Sequence, residues 1–553
     1  MKKALKKIDD IKDMSEKEVK DCLVVLTAVE EGDNDSIVSD LVEAVKKTAE
    51  EVKTKNIVLY PYAHLSSKLA PPDTALEYLT EAEHTLSKDK KFKVVRAPFG
   101  YYKEFELKCK GHPMAELSKE FRVDVTKAVE DADFAKLLAS LKTTKLDTSK
   151  LKENDHRILG QKLDLFSSNE SSPGNTFWHP KGMIIFNELV NFSRELQRVR
   201  GYQEVYTPQI FDNKLWKVSG HWEHYKNNMF ITHYEKRESG IKPMNCPGHM
   251  LLFKAKSRSY KDLPLRFAEY APLHRMELSG VISGLMRVVR MHQDDAHIFC
   301  AVDNLESEIT SILEILNLIY KKTFGFEDIV VNLSTRPESF MGDIKDWDKS
   351  EDALEKVLKS SKMKYVIKKG DGAFYGPKID FDVKDSLGRS WQCGTIQLDM
   401  QLPRRFELTY TDKDGKDKIP IVIHRAVMGS LERFIGVLLE HTNGALPVWL
   451  SPTQVKIINF TERNEKAAEK IAKKLQEAIP LLRIETDLRG TTVNDKIRDA
   501  AMMKVPYAIV IGDKEEKSGD LSVRTRDGKV KSVKVEDFIK SVKQQIEKRE
   551  LKL

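Results

Sequence analysis

The first hundred residues alternate between short apolar runs and longer stretches with helical spacing. "CLVVLTAVE" (22–30) is an apolar run of strand length. "DSIVSDLVEAVKKTAEEVK" (35–53) repeats apolar residues three and four apart, with Asp35-Ser36 as its start signal, and predicts an amphipathic helix. "NIVLYPYAHLSS" (56–67) predicts a second strand that runs into a proline turn, and "APPDTALEYLTEAEHTLSK" (70–88) a second helix opened by Pro and Asp. "FKVVRAPFGYYKEFELKCKG" (92–111) predicts paired strands. Residues 122–154 are polar and read as a linker. Residues 155–450 hold most of the aromatic residues and alternate strands with long helices. After the proline-marked break in "LSPTQVKIINF", strand and helix patterns alternate again through "NEKAAEKIAKKLQEAI", "LRIETD", "TVNDKIRDAAMMK" and "YAIVIGD". That alternation over 451–553 predicts a mainly parallel sheet with helices on its faces. The whole is multidomain, of α/β and α+β type, with 1–121, 155–450 and 451–553 as domains.

Composition narrows the class without naming a chemistry. Of 553 residues, 41% are apolar and 32% charged, which suits a globular protein with a charged surface. No run of about 18 apolar residues is present, and the basic start "MKKALKKIDDIKDMSEKE" has no apolar stretch of the signal-peptide kind. The five cysteines, Cys22, Cys109, Cys246, Cys300 and Cys393, are odd in number and scattered, which argues against a disulfide framework and for a reducing, cytoplasmic setting. A net charge of +7 permits a polyanionic partner without requiring one.

Two constellations carry chemistry. "PMNCPGHM" sets Cys246 before Pro-Gly, so a turn near the surface is expected to hold the thiol still. His249 sits beside it, "MHQDDAHIF" supplies His292 and His297, and "IVIHRAVMGSLERF" supplies His424. One cysteine with two of these histidines would give a three-ligand metal site with an open position. No CxxC or HxxxH pair marks a structural zinc finger, and neither GxxxxGK[ST] nor a strand-linked GxGxxG occurs. Arginines instead stand beside carboxylates in "LHRMELSG" (Arg275, Glu277), "LMRVVR" (Arg287, Arg290) and "GSLERF" (Arg433). Their forked guanidiniums suit bidentate phosphate binding.

"GHW", "KPMNCPGHM", "QDDAHIFC", "DGAFYGPKIDF", "WQCGTIQLD" and "HRAVMGSLERF" together resemble the archaeal-type threonyl-tRNA synthetases, class II aminoacyl-tRNA synthetases. The resemblance implies an antiparallel-sheet catalytic domain, ATP with Mg²⁺, one zinc ion per subunit, a homodimer, and threonine and its tRNA as partners. Pro208 matches the first class signature, a dimer-interface element; Arg275 and Glu277 match the second and Arg433 the third. By the same match, Cys246, His297 and His424 are the zinc ligands, while His249 and His292 are not. Asp295 would pair with the substrate ammonium, and Met244, Gln293, Tyr375 and Gln397 would complete the threonine pocket. Arg275, Glu277, Arg287, Lys378, Gln392, Thr395 and Arg433 would form the ATP site, and His221 would stand near the terminal adenosine 2′-hydroxyl. Residues 451–553 resemble an anticodon-binding domain, with Arg489, Lys496, Arg498, Arg524 and Arg526 as candidate contacts. The MNCPGH segment and the Cys/His/His set argue against a prolyl or seryl ligase, and a non-catalytic RNA-binding paralogue would have lost a signature arginine, whereas Arg275 and Arg433 are both present.

Serine carries the same amine and hydroxyl as threonine, and the missing methyl is worth only about 1–3 kcal/mol of discrimination. Hydrolytic editing of seryl-tRNA is therefore expected. "YPYAHLSS", "RAPFGYYKEF" and "KGHPMAELS" resemble the archaeal N-terminal editing domain, related to D-aminoacyl-tRNA deacylases, and place His64, Tyr102, Lys103 and Glu116 at its site, with His112 as a further candidate. The family pattern opens with a strand before the point where this chain begins, whereas "KKALKKIDD" reads as a helix. A missing strand would leave ladder groups unpaired and weaken the editing expectation rather than the ligase one.

Overall fold

The structure of the chain, a computed structural model, describes residues 2–3, 16–66, 68–110, 117–121, 131–385 and 388–553. It divides into two compact units, Met1–Ala139 and Ser140–Leu553.

The first unit opens with a short strand, β1 (Lys2–Lys3). A parallel sheet follows, in the order β2 (Cys22–Thr27), β3 (Asn56–Pro61), β4 (Lys93–Arg96), linked by α1 (Asp35–Glu51) and α2 (Pro72–Ser87). The apolar stripe of α1 (Val38, Val42, Val45, Ala49) packs on Ile57 and Leu59 of the central strand and on Ala82 and Leu86 of α2. The expected pairing within 92–111 does not form. β4 extends the parallel sheet, Gly100 turns the chain at a positive φ of 81°, and β5 (Tyr101–Tyr102) pairs antiparallel with β1. The start of the chain is therefore extended at Lys2–Lys3, where helical character was expected.

In the second unit, nine strands among the described residues form one mixed, mostly antiparallel sheet. They are β6 (Gln203–Glu204), β7 (Leu265–Glu269), β8 (Pro272–His274), β9 (Arg290–Cys300), β10 (Ile329–Ser334), β11 (Val366–Lys368), β12 (Lys378–Lys384), β13 (Ser390–Asp399) and β14 (Ile421–Ser430). The order is β11-β10-β12-β13-β14-β9-β7-β6, with β8 also on β9. β14 is buried along its whole length, as a central strand covered on both faces must be. Helices α3 (Pro180–Arg198), α4 (Cys246–Lys254), α5 (Leu305–Asn317) and α6 (Leu431–Thr442) belong to the same unit. Ile309, Ile312 and Leu316 of α5 and Phe434 and Leu438 of α6 share a core with Ile396, Leu398 and Ile423 of the sheet.

One irregularity shapes the centre. Gln293 opposes Ser430 but Asp295 opposes Ala426, so residues 427–429 of β14 bulge. The Asp294 carboxylate accepts hydrogen bonds from the N–H groups of Val427, Met428 and Gly429 and holds that bulge. Gly429 has φ 73°, and a Cβ there would fall 2.0 Å from the Cys393 carbonyl oxygen, so only glycine fits.

The last hundred residues form a five-stranded sheet in the order β16-β15-β17-β18-β19, from β15 (Val455–Asn459), β16 (Ile484–Asp487), β17 (Tyr507–Ile511), β18 (Asp520–Thr525) and β19 (Val530–Lys534). Its helices are α7 (Glu465–Ala478), α8 (Val493–Met502) and α9 (Val535–Glu547). The expected parallel part is β16-β15-β17; β18 and β19 add an antiparallel hairpin that the alternation did not reveal. This region is bound to the rest of its unit. Arg483 donates to Glu188, Ser451 O and Trp449 O, and the Arg549 guanidinium lies 4.7 Å over the Phe192 ring. Among the described residues, no helix is long and apolar enough to cross a membrane.

Candidate active site and metal pocket

Cys246 is the first residue of α4, with Pro247 behind it, rather than part of a surface turn. It is 2% exposed, within a cluster that includes Met250, Phe267 and Tyr375, and the first helical turn packs closely on Thr207: a Cβ on Gly248 would lie 3.0 Å from its side chain. His297 on β9 and His424 on β14 are directly opposed across the two central strands, their rings 4.5 Å apart. The ligand atoms of Cys246, His297 and His424 all lie within 4.8 Å of one another, and all three residues are buried. His249 and His292 are not part of that group. His292 pairs with Glu432, and His249 bonds to His297 through Nδ1.

The donor set fits a borderline-soft cation such as Zn²⁺: one sulfur, two imidazoles and, among the described residues, no fourth protein ligand. Burial holds the His297 imidazole well below its ordinary range, with His424 and His249 adding, so it is neutral as a ligand must be. Burial, then the Asp295 and Asp399 carboxylates, push the Cys246 thiol well up. Each imidazole has one nitrogen engaged: His297 Nδ1 by His249, and His424 Nε2 by Asp399 Oδ2 at 2.8 Å. Nε2 of His297 and Nδ1 of His424 remain for a cation. Asp399 was not foreseen, though its position at the end of β13 beside the histidine strand is the kind of signal that finds such a partner.

Several of the residues expected to hold the amino acid lie near this group. Asp295 accepts from Asn245 Nδ2 at 3.0 Å; burial raises its carboxyl despite the opposing pull of His249. The Tyr375 ring lies tilted, 5.2 Å from that of His424, and Gln397, opposite His424 on β13, donates to Gly376 O. Gln293 lies one position before the bulge, opposite Ser430. His221 is fully buried, its Nδ1 2.9 Å from Ser219 Oγ, its Nε2 3.3 Å from Met244 Sδ and 3.9 Å from Cys246 Sγ. Burial, with His424 and Arg275 adding, lowers its pKa to about 3, so it is uncharged near neutral pH.

A second cluster adjoins. Arg433 sits in the first turn of α6, where the helix dipole disfavours a cation. It donates to Met286 O and Gln392 O. Burial, with the Arg275 and Arg287 charges adding, holds it below the usual guanidinium range, so the three cations share one field. Arg287 is paired with Glu277 at 2.8 Å and Arg275 donates to Pro243 O. Lys378, Gln392 and Thr395 all turn onto the Asp380 carboxylate, a convergence point the motifs did not single out. A local clustering of like charge that folding alone does not reward is a place for a polyanion.

The other candidates are less concentrated. In the first unit, Lys103 Nζ donates to Pro98 O and Tyr101 O and lies 5.0 Å over the Tyr60 ring. Tyr60 contacts Tyr62, which contacts the exposed His64. Tyr102 is exposed on β5, and Glu116 and His112 fall outside the described residues. In the last region, one candidate, Lys496, is corrected. Lys496 is 1% exposed and spends its ammonium on Asn459, because α8 turns that face onto β15. Arg526 is directed to the Leu446 carbonyl, and burial lowers it to about 10. Arg489 is held by Asp487 and Asp499, Arg498 by Asp495, and Arg524 reaches Gly528 O.

Comparison with known proteins agrees with these features. Residues 1–121 match the archaea-specific editing domain of threonyl-tRNA synthetase, 228–442 the tRNA synthetase class II core domain (G, H, P, S and T), and 454–545 the anticodon binding domain. A threonine–tRNA ligase of Thermotoga petrophila is 50% identical over 402 residues, 72% of this chain and 62% of that protein. One of Desulforamulus reducens is 49% identical over 397 residues, with the same shares. The chain thus spans about 62% of the length of these relatives. A crystal structure titled as the RNA binding domain of threonyl-tRNA synthetase from Cryptosporidium parvum is 42% identical, with a TM-score of 0.68, covering 70% of this chain and 98% of that one. The putative threonyl-tRNA synthetase ThrRS-1 of Aeropyrum pernix is 30% identical, TM-score 0.63, over 71% and 96%. A prolyl-tRNA synthetase of C. parvum, 16% identical at TM-score 0.57 over 73% and 77%, shares the fold.

Proposed function

The chain belongs to the threonyl-tRNA synthetases, and from that membership we propose that it ligates L-threonine to its tRNA through threonyl-adenylate and hydrolyses mischarged seryl-tRNA. The observation that carries the reading is the buried Cys246–His297–His424 group beside the three-arginine field. A zinc ion held there would supply an open coordination position for the amine and hydroxyl of a 2-amino-3-hydroxy acid. Asp295 holds the substrate ammonium, while Met244, Gln293, Tyr375 and Gln397 wall the pocket. Arg275 orients the threonine carboxylate and the α-phosphate, Arg433 the γ-phosphate, and Glu277, Arg287, Lys378, Gln392 and Thr395 hold the remaining ATP, with Mg²⁺ on the phosphates. A carboxylate oxygen then attacks the α-phosphorus as the bond to pyrophosphate breaks, and positioning with charge neutralisation lowers the barrier. In the second step a terminal ribose hydroxyl, beside neutral His221, attacks the acyl carbon and AMP departs. The homodimer, through the Pro208 element, and the cytoplasmic setting belong to the same reading.

The test is ATP–pyrophosphate exchange with threonine, serine and valine. A site that binds the hydroxyl rejects valine by about 10⁴-fold or more, whereas an apolar pocket reaches only about 10² between such isosteres. Cys246→Ala should fall toward the lower figure and lose bound zinc; a variant that still rejects valine like the parent overturns the assignment. For editing, Lys103→Met should slow deacylation of seryl-tRNA by about 10²-fold or more while exchange is unchanged. Equal deacylation by parent and variant removes Lys103 from that site.

A further inference from the structure

Behind His297 lies a line of buried polar side chains that the ligand set does not use. Buried polar groups are expensive unless they are paired, so what these hold in place is informative. His249 is three residues after Cys246 on α4, and its Nδ1 stands 2.8 Å from Nδ1 of His297, the rings edge to face at 4.6 Å. Its Nε2 is 3.0 Å from Glu269 Oε2. Glu269, on β7, accepts from Lys242 Nζ at 2.7 Å and from the Thr207 N–H at 2.8 Å. His249, Glu269 and Lys242 are each 0% exposed.

Two imidazole nitrogens at this distance share one proton. The Glu269 carboxylate only accepts, so the Nε2 facing it is the donor of His249 and Nδ1 is the nitrogen left to accept. The shared proton therefore sits on His297 Nδ1, which leaves the lone pair of His297 on Nε2, available to a metal. The reverse arrangement would place a proton on Nε2 and remove the ligand.

We propose that His249, backed by Glu269 and Lys242, is a positioning residue of the metal pocket: it accepts the Nδ1 proton of His297 and fixes the tautomer and ring orientation in which Nε2 can bind the metal. α4 then contributes twice, one residue as ligand and another, one turn on, as the brace of a ligand from a different element. The inference rests on the metal reading of the pocket and adds a residue to it. Groups in this position typically change metal affinity by about 10–100-fold.

The experiment is zinc affinity, measured by chelator competition on the full chain, for the parent, His249→Leu and His249→Asn. Asn keeps an acceptor oxygen near the place of Nδ1; Leu fills similar volume with none. Leu is expected to weaken zinc by about 10–100-fold, and Asn by much less. Equal affinities for parent and Leu, or equal losses for Leu and Asn, overturn the proposal. A parent that binds no zinc overturns the pocket reading itself, which separates the two failures. Should His249→Leu not fold, a crystal structure of the zinc-soaked parent decides: zinc on His297 Nε2 supports the proposal, and zinc on Nδ1 ends it.

Discussion

The metal pocket and the last α/β region were both approached through residue type, and they turned out differently. Cys246, His297 and His424 come from remote segments and meet, buried, at the centre of one sheet. The basic candidates of 451–553 are each engaged separately: Arg489 by Asp487 and Asp499, Lys496 by Asn459, and one nitrogen of Arg526 by the Leu446 carbonyl. The pocket residues are fixed by strand register, in which His297 must oppose His424 once β9 and β14 pair. The basic residues answer to no such rule. A lysine on a helix is turned inward or outward by the apolar stripe around it, and a charged residue type alone does not say which.

The largest effect that could break this contrast is expected at Arg433. It is half-buried beside two like charges in the first turn of α6, where the helix dipole disfavours a cation. Arg433→Ala should lower the exchange rate by about 10²–10³-fold at saturating threonine, with zinc content unchanged. A rate within a few-fold of the parent would mean that the three-arginine field is only a surface feature.

The same contrast explains what the sequence made legible. The first unit's parallel strands and helices and the alternation after 451 were readable from apolar periodicity, and the antiparallel core from the family motifs. Three things were not. The bulge at 427–429 depends on Asp294 accepting three N–H groups from another strand, which no local pattern encodes. Asp399, Asp380 and the brace His249–Glu269–Lys242 serve other residues rather than a ligand, and they become visible only when the strands are paired. The burial of Cys246 was missed because Cys-Pro-Gly reads equally as a turn and as a helix start; Pro in the first helical turn settles it as the latter.

A smaller effect separates structure from recognition at Lys496. Its ammonium is the buried donor to the side-chain and main-chain oxygens of Asn459. Lys496→Met keeps the stem and leaves the Asn459 oxygen without that donor, so the last region should lose about 1–3 kcal/mol of stability in urea unfolding. The Michaelis constant for tRNA should not move at temperatures where the variant is folded. An unchanged stability with weakened charging would return Lys496 to the recognition surface.

The smallest effect is expected two residues along the same helix, and it is the sharpest control. Arg498 is 66% exposed and paired only with Asp495 at 3.0 Å, a surface ion pair of the kind worth between zero and about 1 kcal/mol. Arg498→Ala should therefore leave stability nearly unchanged. If its guanidinium meets a phosphate of the bound tRNA, one counterion fewer is released. The slope of log affinity against log salt should then fall by about 0.7–0.9, with a loss of affinity of a few-fold that is greatest at low salt. An unchanged slope would show that Arg498 is a solvated charge. The recognition surface of the last region would then have to be sought away from the exposed face of α8, because Lys496, on the same helix, is already committed to the interior.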